Sequence, residues 1–216
     1  PSEERWIAFR LADLQWRSEA STDTSDTSRM EAARKQLETL AADPDREDDR
    51  DRIWAEANES LGDYWWVRRN TRNWNQAWQY YQKALDWWAG ARDVDLARTR
   101  YLAIVWRAAE PPGRPSFEQY GSYGPTLPVD ALENALTVAQ SEGDKARAHY
   151  LIAMTLQQTG DLAQMARIPE EYEAALKAGK SVPWYDDALY AYASFLTEGG
   201  RVIVDEKGQW RREQDY

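Results

Sequence analysis

The stretch Leu61-Gly62-Asp63-Tyr64-Trp65-Trp66 is echoed about 50 residues earlier by Leu11-Ala12-Asp13-Leu14-Gln15-Trp16. A longer self-similarity surrounds it. Displacing the chain by about 91 residues superposes Ala55 on Ala146, Ala57 on Ala148, Tyr81 on Tyr172, Ala84 on Ala175, Leu85 on Leu176, Asp95 on Asp186, Ala97 on Ala188 and Tyr101 on Tyr192. Identity is low, but the displacement stays constant across four helical segments, and a fixed period is the mark of repeated supersecondary units. A period of about 91 is two helical hairpins of about 45 residues each. The expected fold is therefore all-α: a right-handed solenoid of stacked antiparallel hairpins, with about nine helices in one domain over 1–216. The hairpins fall at about 2–42, 45–90, 93–142 and 144–179, with a half-hairpin at 183–199.

Local signals agree with this division. Nearly every informative window has helical period, and only Arg201 to Val204 reads as a strand. Ser2 is a plausible cap for a first helix with Trp6, Phe9, Leu11, Leu14 and Trp16 around its stripe. Ser28 with Glu31 has the spacing of a capping box. The charged run Asp45 to Arg52 reads as the solvated first turns of a third helix that continues to Val67. Asn73 with Gln76 opens a fourth that Gly90 closes. Further helices are expected over Asp95–Ala109, Asp130–Gln140, Lys145–Gln158, Pro169–Lys177 and Pro183–Thr197. Between them lies one long irregular segment, 110–128, rich in proline and containing Phe117, Tyr120 and Tyr123.

Composition bounds the chemistry. The 216 residues hold 27 Lys+Arg against 37 Asp+Glu, a net charge of −10, which argues against a nucleic-acid surface and against anionic membranes. With no Cys there is no disulfide, zinc–thiolate site or Cys nucleophile, and one His leaves few metal or triad arrangements. The most apolar run, Tyr101 to Trp106, is far too short to span a bilayer, so no membrane insertion is expected. Pro1 to Arg5 do not read as a signal segment, and Gln214-Asp215-Tyr216 falls where a partner helix is expected, so the chain reads as a slice of a longer solenoid. Twelve Trp and 12 Tyr against 3 Phe indicate a core of large amphipathic rings.

Leu61-Gly62, Trp65, Ala77, Tyr81 and Ala84, and again Ile152-Ala153, Leu156, Gly160-Asp161, Tyr172 and Ala175-Leu176, follow the order of small and large residues of a tetratricopeptide repeat. The chain resembles that superfamily, with about three extra residues between paired helices. The motifs LADLQW, LGDYWW, YYQKALDWWAGARD, YLAIVWR and WYDDALYAYASFL, in that order, resemble more narrowly the helical-repeat region of large bacterial alpha-2-macroglobulin-like proteins. That resemblance implies an extracytoplasmic scaffold or docking segment whose partner is a protein, a peptide or another domain of the same polypeptide. The thioester chemistry of that family needs a Cys, which is absent here.

Enzymatic signals are weak. Asp186-Asp187 and Glu170-Glu171 are adjacent helix positions that diverge by about 100° and suit first-turn dipole pairing. His149 has no second ligand at metal spacing, no Gly-rich phosphate loop or nucleophile elbow appears, and no cofactor is implied. The sequon Asn58-Glu59-Ser60 falls within a helix. In a stacked array the first helices line the concave face where partners bind. Trp16 and Trp66 recur on first helices with Asp13 and Asp63 one turn earlier, which makes Asp13, Trp16, Glu59, Asp63, Trp66, Arg98, Arg147 and Tyr150 the groove candidates. Tyr120 and Tyr123 form a second candidate surface. The rival function is a carbohydrate-binding or carbohydrate-active α/α domain that uses Trp and Tyr faces with acidic neighbours; interhelical packing of the same rings is the bland alternative.

Overall fold

The structure, a computed structural model, describes residues 2–20, 27–66, 72–109, 127–198, 202–205 and 207–212. It is mostly helical, as the periodicity requires. The chain divides into two compact units, 1–114 and 115–216.

The first unit contains α1 (Glu3–Ala20), α2 (Ser28–Leu40), a 3-10 turn (Glu47–Asp49), α3 (Arg52–Trp66), α4 (Trp74–Ala89) and α5 (Val94–Ala109). α3 is its axis. It packs on α1, α2, α4 and α5, and all of its residues except Arg52 and Trp65 are buried. One side of α3, with Ile53, Ala57, Leu61 and Tyr64, closes a core with Phe9, Ala12 and Trp16 of α1 and Met30, Ala33 and Leu37 of α2. The Tyr64 ring meets Trp16 edge-on at 5.6 Å between centroids. The other side receives α4. Trp66 abuts Trp74 at one end of the pair, with centroids 4.9 Å apart, while the Trp87 indole donates to the Arg50 carbonyl at the other. Gly62 lies so close to Tyr81 that a Cβ there would enter the phenol ring. The small-then-aromatic order read from the sequence is thus a helix–helix contact.

Cap chemistry decides the boundaries. The Asn73 side chain accepts the Gln76 N–H at 3.1 Å, as expected. The third helix begins later than its charged run suggested: Asp51 accepts the Trp54 N–H at 2.9 Å and acts as its cap, and the acids before it form the separate 3-10 turn. Thr27, not Ser28, stands at the cap position of α2, and Glu31 accepts the Tyr64 hydroxyl at 2.7 Å.

The second unit contains α6 (Val129–Val138), α7 (Glu142–Thr159), the single turn α8 (Leu162–Met165), α9 (Ile168–Leu176), α10 (Tyr185–Thr197) and a short antiparallel ribbon of β1 (Val202–Val204) and β2 (Trp210–Arg212), with Val202 opposite Arg212. α7 packs on α6 and α9, α9 packs on α10, and the ribbon lies against α8. Ser141 caps α7 by accepting the Asp144 N–H, and Gly160 ends it in the left-handed region at φ 69°. The helix α8 lacks an apolar period in the sequence because it is one turn long. The segment expected as a hairpin over 93–142 contributes α5 to one unit and α6 to the other. Tyr120, Tyr123 and residues 110–126 lie outside the described residues.

Candidate functional site

The acidic positions of α3, Glu56, Glu59 and Asp63, follow an i, i+3, i+7 order that places them on one helix face. Carboxylates so enclosed need cations and donors. The flanking helices α1 and α5 supply them. From α1, Arg17 reaches Asp63 Oδ2 through Nη2 at 2.8 Å while its Nε holds Asp13 Oδ1 at 2.8 Å. From α5, Arg107 donates through Nε to Asp63 Oδ1 at 2.9 Å and through Nη2 to Glu59. Arg100, two turns earlier on α5, bridges Glu59 and Glu56 at 3.4 and 3.1 Å, and Arg52 closes the row on Glu56 at 2.9 Å. Tyr81 of α4 donates its hydroxyl to Asp63 Oδ1 at 2.7 Å. Four carboxylates, counting Asp13, thus meet four guanidinium groups. The acids are buried, and the arginine side chains that bind them stay partly exposed.

Hydroxyl and indole groups complete the lattice. The Trp16 Nε1–H donates to Ser60 Oγ at 2.9 Å, and the Ser60 hydroxyl donates to Asp13 Oδ1 at 2.6 Å. The Arg17 guanidinium lies over the Trp16 ring at 4.5 Å from the centroid. Trp66 makes the corresponding step forward, donating to the Ala108 carbonyl of α5 at 2.9 Å. The two indole N–H groups therefore link α1 to α3 and α3 to α5.

The electrostatics follow from burial. Burial pushes the Glu59 carboxyl above its ordinary value, Asp63 adds to the rise, and Arg107 and Arg100 offset only part of it. Glu59 Oε2 has no hydrogen-bond partner among the described residues. Burial likewise raises the Tyr81 phenol well above its usual value, with Asp63 reinforcing it. For Arg17 and Arg107 burial acts against the charge, but the surrounding carboxylates outweigh it and hold both guanidinium groups more firmly protonated than free arginine.

The groove expectation is corrected at most of its members. Trp16 and Trp66 are buried rings, not exposed anchors, and Asp13, Glu59 and Asp63 are buried with them. The physical reason is that α3 is enclosed on both sides by α1 and α5, so its acidic face is a seam between helices. Arg98 stays outside this seam and pairs with Asp95 at 3.0 Å on α5. Arg147 and Tyr150 belong to the second unit, where Tyr150 is buried and stacks on Trp184 at 5.8 Å. Sequence reasoning missed Arg17, Arg100, Arg107, Glu56 and Ser60, and it marks Tyr81 as a repeat position without its bond to Asp63. A usable signal was present: acids at 56, 59 and 63 face arginines at 100 and 107 with the same two-turn stride.

In the second unit His149 Nδ1 lies 2.7 Å from Glu171 Oε2, and Arg167 joins Glu171 to Glu133 at 3.1 and 2.9 Å. Burial alone would raise Glu171, but the bonds from His149 and Arg167 prevail and hold it below its ordinary value. Asn58 of the sequon is fully enclosed and donates to the Trp54 carbonyl, so the folded chain does not present it. Among the described residues no cluster of three or more metal-ligating side chains occurs, and no helix is long and apolar enough to cross a membrane. No family model matches the chain, and neither a characterised protein nor a solved structure is significantly similar to it.

Proposed function

We propose that the chain is a noncatalytic helical-repeat scaffold of tetratricopeptide type, a solenoid of stacked hairpins that mediates protein–protein contact or spacing within a larger bacterial, extracytoplasmic protein of the alpha-2-macroglobulin-like kind. One observation supports it above the others: α1, α3 and α5, alternate helices of the chain, lie side by side and are stitched by a recurring Trp and a shared Arg–carboxylate row. Alternate helices in contact are what stacking of hairpins produces. The close approach of Gly62 to Tyr81, and the burial of Ala153 and Tyr172 at the matching positions of the second unit, support the same reading.

The rival carbohydrate reading required exposed Trp faces beside free acids. The seam offers the reverse, with rings inside and each acid bonded to a cation, which favours a structural use of those residues. A glycan array together with a polysaccharide-hydrolysis screen separates the two readings. The scaffold expects signal at background in both; saturable glycan binding or released sugar overturns it.

A further inference from the structure

α1 is apolar on two opposite sides. One side, with Phe9, Ala12 and Trp16, closes the core on α2 and α3. The other carries Ile7, Leu11 and Leu14, an i, i+4, i+7 stripe that faces water, with Leu11 61 % exposed. Three large aliphatic side chains in such a row form a patch, not scattered exposure.

The internal echo identifies what fits this stripe. At the displacement of about 50 residues, Ile7, Leu11 and Leu14 correspond to Ala57, Leu61 and Tyr64 of α3. On α3 those three positions are buried, and what buries them is the hairpin α1–α2. The electrostatics repeat the same relation. Asp63 Oδ2 is held by Arg17 from the preceding hairpin, whereas Asp13, its counterpart, takes its bonds on Oδ1 and leaves Oδ2 without a donor among the described residues.

We propose that the Ile7–Leu11–Leu14 face is a stacking surface for a helical hairpin of the α1–α2 type, one that presents an apolar face of aromatic, small and aliphatic side chains to the stripe and an arginine to Asp13 Oδ2. The face that would cover it in a second copy of this chain, Met30, Ala33 and Leu37, is already closed over that copy's own α3, so an intact second copy does not supply the occupant. The net charge of −10 also opposes self-association. The proposal rests on the repeat reading above and adds to it which face accepts the next repeat and what chemistry that repeat brings.

The test is the full chain carrying a duplicate of residues 1–50 fused directly ahead of Pro1, which places a second hairpin at the displacement the echo defines. Hydrogen exchange at the amides of the original α1 is expected to slow by roughly tenfold or more relative to the unfused chain, with the thermal midpoint rising by a few degrees. Leu11→Asp in the original copy of the fusion should cancel both gains, while the same change in the unfused chain should leave its midpoint in place. Unchanged exchange at α1, whether the added segment gains helix or stays unfolded, overturns the proposal. So does a dimer of the unfused chain in sedimentation that Leu11→Asp abolishes, because the face would then serve self-pairing. Glycan binding would remove the scaffold reading without altering α1 protection, so the two failures are distinguishable.

Discussion

The α3–α4 pair of the first unit and the α7–α9 pair of the second enclose the same positions. Leu61 and Ile152, Ala77 and Ile168, Tyr81 and Tyr172, and Ala84 and Ala175 are all fully buried. Their polar chemistry is different. Where α3 turns Glu56, Glu59 and Asp63 into an arginine-stitched seam, α7 has Arg147, Tyr150 and Met154 in the same register. The Tyr81 hydroxyl binds a buried carboxylate, and the Tyr172 hydroxyl binds the neutral amide of Gln157 at 2.9 Å. The apolar knobs thus set how two helices pair, while the polar residues set what else the pair can be tied to. α3 is tied on both flanks, to α1 and to α5, by charge.

That contrast is most exposed at Asp63. Asp63→Ala leaves Arg17, Arg107 and Tyr81 without their shared acceptor inside the seam and should cost roughly 3–5 kcal/mol in urea unfolding. Met154→Ala at the matching, half-buried position of α7 should cost well under half as much. Equal losses would show that the seam adds nothing beyond packing. Gly62→Ala, which forces a methyl into the Tyr81 ring, should cost about 1–3 kcal/mol with helical content retained. The tyrosines give a finer comparison. Tyr81→Phe removes a bond to a charged acceptor and should cost about 1.5–3 kcal/mol, against about 1 kcal/mol for Tyr172→Phe.

Glu171 and Glu59 should also respond to acid with opposite sign. Glu171 has a lowered folded pKa, so its contribution is present above the unfolded value near 4.5 and is lost as pH falls through the folded value. Glu59 has a raised folded pKa, so the folded state binds the extra proton, and its unfavourable contribution grows as pH rises from about 4.5 through the raised value. Hydrogen exchange between pH 3.5 and 6, resolved by unit, should show α7 and α9 loosening on acidification. Glu59→Gln should flatten the opposing slope at α3, and a slope unchanged by that variant would remove Glu59 as its source.

Much of this was legible in the sequence. The helical period and the Asn73 cap are short-range signals visible as residue spacing, and Gly62 and Tyr81 stand out in the order of small and large residues. Burial of Trp16, Trp66, Asp13 and Asp63 was not. An acid on a helix face reads as solvated until the cations that reach it are known, and here they arrive from helices more than 40 residues away in sequence, as the Arg107–Asp63 and Arg17–Asp63 pairs do. The start of α3 is hidden for a similar reason: the alternating charges of 45–52 fit a solvated first turn, and only the bond from Trp54 N–H to Asp51 marks where the helix begins.

The central claim is that Asp63 couples α1 to α5 through α3. A double-mutant cycle on Arg17→Met and Arg107→Met, read by urea unfolding, addresses it directly. The two arginines lie on different helices and share one carboxylate, so their effects should be non-additive by about 1–2 kcal/mol. Additivity within about 0.3 kcal/mol would mean that α1 and α5 pack on α3 independently, and the stitched-seam account would be wrong.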